Sequence, residues 1–255
     1  MREGMNFMSI LLFLLGFIAS VYGIIIGAGG GFIIVPFLIL FFDTPSHIAA
    51  GTGLAIVFLN SISGLYVYLK QGRVLIRQGV LFGVAAIPGT FVGLFFVQQI
   101  SEHWFQYGLA VLLVGLGIYI TCKKPPEVAE VRYTSANERP QIFLLLVIGL
   151  IIGTISSFFG IGGGWLLVPI LIYLFRIDAY RATATSVFSL GIYSFVGAAS
   201  AVGADTIDWQ LLTWCGAGAV IGAYVGARMS RRFNASAITK LLAALVFVIA
   251  VLLVI

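Results

Sequence analysis

The sequence predicts an all-α polytopic membrane protein: two inverted-topology repeats of five hydrophobic segments, each repeat holding one glycine-broken short half-helix. Three observations predict it. The 255 residues are 61% hydrophobic and 9% charged, with a mean hydropathy of +1.13, where a soluble domain carries roughly 25% charged residues. The chain aligns with itself at a shift of 133 residues. Its lysines and arginines fall between apolar runs, where one threading through a bilayer gathers almost all of them on one side.

The elements follow in order from hydropathy. About 20 residues at 1.5 Å rise cross a hydrocarbon core of about 30 Å. Runs long enough to do so cover 8–26, 48–69, 79–98, 104–122, 141–160, 182–203, 209–227 and 236–255. Two runs, Phe32–Phe42 and Trp165–Phe175, are too short, reaching only about half of that thickness. At the 133-residue shift GAGGGFIIVP (27–36) falls on GIGGGWLLVP (160–169) without a gap. Ala49 then meets Ala182, Thr52 meets Thr185, Gly89 meets Gly222 and Gly93 meets Gly226. Because residues 9–26 fall on 142–159, the first run reads as the first helix of a repeat rather than a removable leader. Residues 1–122 form the first transmembrane repeat, 123–140 a polar cytoplasmic linker and 141–255 the second repeat.

Basic residues set the orientation. If each half changes side five times and the N-terminus lies outside, Lys70, Arg73, Arg77, Lys123, Lys124, Arg132, Arg139, Arg176, Arg181, Arg228, Arg231, Arg232 and Lys240 are all cytoplasmic. Only Arg2 is external, together with Asp43, Glu102, Asp205 and Asp208. A re-entrant short run would instead move Arg176, Arg181 and the Arg228–Arg232 cluster outside, against the same rule. An odd number of crossings inverts one half relative to the other, an arrangement many secondary transporters share.

The glycines explain the short runs. A helix that stops mid-membrane exposes backbone, which is tolerated only where it is buried in protein or lines a polar cavity. The half-helix beyond the break has unpaired N–H groups and the positive end of its macrodipole at the membrane midplane. That is an anion site made without an intramembrane cation. Glycine at Gly29, Gly30, Gly31, Gly162, Gly163 and Gly164 permits positive φ and close approach of a ligand. Pro36 and Pro169 fall at or just past the first turn, where a missing N–H costs little. The following helices add neutral polar groups. Thr52, Asn60 and Ser63 share one helical face, and Thr185, Ser186, Ser189 and Tyr193 are the second half's candidates. Gly89 with Gly93 and Gly222 with Gly226, spaced four apart inside long runs, read as helix-packing residues.

Other classes are excluded or left without support. GAGGGF and GIGGGW lack the third glycine of a dinucleotide fingerprint and the GK[ST] of a P-loop. The net charge of +5 is spread between spans, not over one soluble face, so no nucleic-acid partner is expected. Cys122 and Cys215 have no metal-ligand spacing, and His47 and His103 read as loop residues. No catalytic or metal constellation and no cofactor is expected; the partners are the lipid bilayer and a small anionic substrate.

At these residues the sequence resembles the TauE/SafE sulfite exporter family, also called the toluenesulfonate uptake permease family. The resemblance rests on the paired GxGGGxxxVP segments, on AxxT after each short run (Ala49 to Thr52, Ala182 to Thr185), and on the Gly89/Gly93 and Gly222/Gly226 helices. It covers nearly the whole chain outside the linker. It implies a secondary transporter for sulfite or a related small sulfur-containing or organic anion, in a prokaryotic cytoplasmic membrane. An anion channel using the same half-helix ends, or a membrane scaffold without transport, are the alternatives.

Overall fold

The computed structural model describes residues 2–122 and 138–230, all of whose regular elements are α-helices. The helices are α1 (Arg2–Ile26), α2 (Gly31–Phe42), α3 (Ser46–Lys70), α4 (Ile76–Val97), α5 (Glu102–Cys122), α6 (Glu138–Phe159), α7 (Gly164–Tyr173), α8 (Ala179–Gly203) and α9 (Trp209–Met229). Five of them are long and apolar enough to cross a membrane: Met8–Ile26 within α1, α3, α4, α8 and α9. The short helices have 12 and 10 residues. Residues 123–137 of the linker with Lys123, Lys124 and Arg132, together with Arg231, Arg232, Lys240 and the last apolar run, fall outside the described residues, while Arg139 lies in the first turn of α6.

Each short helix begins where a long one ends at a glycine break. Gly27 and Gly29 have φ of 81° and 72°, and Gly160 and Gly162 have 68° and 74°. A side chain in this left-handed region is disfavoured by roughly 1–2 kcal/mol, so glycine lets the chain reverse there at little cost. The positive φ expected of Gly30 and Gly163 is not found. They are the N-caps, at φ −73° and −85°, and their lack of a Cβ serves packing instead. Pro36 and Pro169 sit in the second turn rather than the first, because both helices start one residue earlier than the apolar runs.

Small residues decide how the long helices meet. α1 lies along α9 with Gly218 against Phe13, Gly222 against Phe17 and Gly226 against Val21. α4 lies along α6 with Gly149 against Ala85, Gly89 against Leu150 and Gly93 against Phe158. In both pairs residue numbers rise together, so the helices run parallel. A Cβ on Gly153, Gly218 or Gly222 would overlap a carbonyl of the facing helix, which is the close backbone approach that small residues permit in membranes. Gly89, Gly93, Gly222 and Gly226 all lie in these two seams, as their spacing predicts.

At the centre α3 crosses α8, its equivalent at the 133-residue shift. Gly51 lies beside Ala201, Leu54 beside Gly197 and Ser61 beside Gly191, so these two helices run antiparallel. The charged ends segregate accordingly. At one end Arg73 sits between the rings of Tyr68 and Tyr180, 4.8 and 4.9 Å from their centroids, and its Nη1 donates to Ser230 Oγ at 2.9 Å. At the other end Glu102 accepts from the Ser46 N–H at 2.9 Å, and Gly51 packs against Thr206. The end of α3 carrying Lys70 and Arg73 therefore shares its side with the start of α8 and the end of α9, while Glu102, Asp205 and Asp208 lie opposite.

Candidate functional site

The two glycine breaks meet. A Cβ at Gly31 would stand 2.9 Å from the Ile161 carbonyl, one at Gly162 would stand 3.2 Å from Ala28 O, and one at Gly164 would overlap Gly27 O. Ser186, fully buried on α8, ties them together by donating to Gly27 O at 2.9 Å. Their height follows from the side chains around them. Val57, near the middle of α3, packs against Gly29, Gly31 and Gly162, and Leu190, near the middle of α8, against Gly29, Gly162 and Gly164. α2 runs back along α3, since Gly31 lies at Val57 and Val35 at Gly53. The N-termini of α2 and α7 thus lie half-way along the long helices, in contact with the other half of the chain.

The structure divides the predicted polar residues into two groups. Ser186 and Tyr193 belong to the breaks. The Tyr193 hydroxyl accepts from the Gly163 N–H at 2.7 Å and from Ser156 Oγ at 3.3 Å. Asn60, its equivalent in the first half, is fully buried, and neither its Oδ1 nor its Nδ2 finds a partner. Thr52, Ser63, Thr185 and Ser189 face neighbouring helices instead. Thr52 Oγ1 accepts from the Asp208 N–H at 2.9 Å and Thr185 Oγ1 from the Leu75 N–H at 3.0 Å. Leu75 and Asp208 are the N-caps of α4 and α9, so each threonine anchors the start of a long helix from the other half. Ser63 donates to Val220 O at 2.6 Å and Ser189 to Gly79 O at 3.0 Å. Of the three residues on that shared helical face, Thr52 and Ser63 are thus both turned to α9.

Three buried hydroxyls near the breaks were not among the predicted residues. Ser156 bonds Tyr193. Ser20 Oγ is buried without a partner, 3.0 Å from where a Cβ of Gly30 would stand. Ser61 Oγ is likewise buried and unpartnered. A serine inside an otherwise apolar span, a turn or two before a glycine break, is the sequence signal for the first two. Among the described residues no three His, Cys, Asp or Glu side chains are grouped to hold a metal ion. Cys215 is buried and directs its Sγ to Leu12 O at 3.2 Å.

Such a site is neutral and rich in hydroxyl and N–H donors, with two half-helix N-termini beside it. Comparison with known proteins gives the family. The family model described as sulfite exporter TauE/SafE matches residues 12–253. The chain is 28% identical over 255 residues to a probable membrane transporter protein, YunE, of Bacillus subtilis strain 168, covering 91% of this chain and 92% of that one. It is 30% identical to a probable membrane transporter protein, MJ0441, of Methanocaldococcus jannaschii, over 77% of this chain and 73% of the relative. It is 33% identical to sulfite exporter TauE/SafE family protein 6 of Arabidopsis thaliana, over 42% of this chain and 25% of the relative. No solved structure matches.

Proposed function

Because the chain belongs to the TauE/SafE sulfite exporter family, we propose that it is a secondary transporter that carries sulfite or a related small sulfur-containing or organic anion across a prokaryotic cytoplasmic membrane. The observation that carries this reading is the meeting of two glycine breaks, each at the N-terminus of a half-helix, half-way along the crossing helices α3 and α8. The positive helix ends draw one anion to the breaks, whose neutral side chains are Asn60, Ser186 and Tyr193. The antiparallel crossing of the equivalent helices α3 and α8 supports inverted repeats with the N-terminus outside. In the present arrangement the breaks are in van der Waals contact. An anion enters only when the halves move apart, which is the rocking of alternating access rather than an open pore.

The test is equilibrium binding to the purified full chain, with sulfite, sulfate, thiosulfate and small sulfonates against alkali-metal cations. Saturable binding of at least one of the anions is expected. Binding of cations in preference to every anion contradicts the reading.

A further inference from the structure

Building on that reading, we propose that the two breaks are not equivalent: the first, with Ser20 and Asn60 as side-chain ligands, binds the oxyanion, whereas Tyr193 and Ser156 hold the second closed. The same positions carry different chemistry in the two halves. In the second half the N-cap N–H of Gly163 is already taken by the Tyr193 hydroxyl at 2.7 Å, and Ser156 donates to that oxygen in turn. A Cβ on Gly163 would overlap Ile152 and stand 2.9 Å from the Tyr193 oxygen. The N-cap N–H and both hydroxyls are thereby committed to one another.

The first half puts Ala19, Gly23 and Asn60 where the second has Ile152, Ser156 and Tyr193. Asn60 lies one turn beyond Val57, the residue packed on Gly29 and Gly31, and neither atom of its buried amide has a hydrogen-bond partner. Ser20 has no counterpart, because Gly153 occupies its place. Its hydroxyl reaches the N-cap of α2, is fully buried and has no partner. Buried polar groups are ordinarily paired; an unpaired hydroxyl at a half-helix N-terminus, with a second unpaired group at the position where the other half has Tyr193, marks a site whose partner is a ligand. The Ser20 O–H, the Asn60 Nδ2–H and the backbone N–H groups of the break are all donors. No basic side chain is present to demand a large charge, and no carboxylate is present to repel one. A compact oxyanion with several acceptor oxygens fits, and sulfite is the probe.

Sulfite titration into purified full-length protein separates this inference from the reading beneath it. Wild-type protein is expected to bind one sulfite per chain. Asn60→Leu and Ser20→Ala are each expected to weaken that binding about ten-fold or more, the range for a hydrogen bond to a charged group. Asn60→Tyr, which copies the second half, is expected to abolish it while the protein melts no lower than wild type. Ser20→Ala is a minimal change and reports even if Asn60→Leu fails to fold. Binding of none of the four anion types by wild type overturns the transporter reading and this inference with it. Wild-type binding with Asn60→Leu and Ser20→Ala within two-fold of it, or two sulfites per chain, overturns the inference alone.

Discussion

Thr52 and Thr185 show how a residue that looks like a ligand in the sequence can be occupied by the fold. Each hydroxyl oxygen accepts the N–H of an N-cap residue 156 or 110 positions away, satisfying a helix-start donor that has no partner within its own helix. Thr52→Val and Thr185→Val keep the shape and strand that donor. Each is expected to lower stability by about 1 kcal/mol, read as a lower melting temperature in detergent, and the two shifts are expected to match. At the breaks, Gly29→Ala and Gly162→Ala put a side chain at φ 72° and 74° and are expected to cost roughly 1–2 kcal/mol each, whereas Gly163→Val acts by overlap with Ile152. The glycines were legible because a triple glycine beside an apolar run has few structural uses. The tasks of the hydroxyls were not, because their partners lie in the other half, and no helical periodicity within α3 tells Thr52, bonded to the start of α9, from Asn60, buried with no partner.

Helix seams carry the same reasoning one level up. In both parallel pairs, α1 with α9 and α4 with α6, a glycine on one helix meets the backbone of the other. Gly153→Leu or Gly218→Leu is expected to abolish accumulation of folded protein, since the added side chain meets the Ala86 or Phe13 carbonyl and the helices cannot separate without losing the whole seam. Gly203→Ala is the contrast. It has no described atom within 4 Å and is expected to change stability by no more than about 0.5 kcal/mol. Gel-filtration yield of the three variants at equal expression checks both expectations. Element positions were readable from sequence to within a few residues, because hydropathy and the break are local. Which helix packs on which is not legible there, although the four-residue glycine spacing marks the surfaces concerned.

For the whole molecule, the segregation of Lys70, Arg73 and Arg228 from Glu102, Asp205 and Asp208 sets the expected topology. Cysteines placed near Glu102 and Asp205 are expected to react with an impermeant thiol reagent added outside, and cysteines near Gln71 and Arg176 are not. Labelling of the Gln71 and Asp205 sites from the same side would contradict inverted repeats. The central claim is that an anion passes between two breaks that must part to admit it, and concentrative flux tests it most directly. Proteoliposomes holding the protein alone, given the anion that binds best and an imposed proton or sodium gradient, are expected to accumulate that anion above its outside concentration, and Gly163→Val inserted at equal level is expected not to. Flux that only equilibrates whatever gradient is applied, or wild-type accumulation by the Gly163→Val protein, would contradict it.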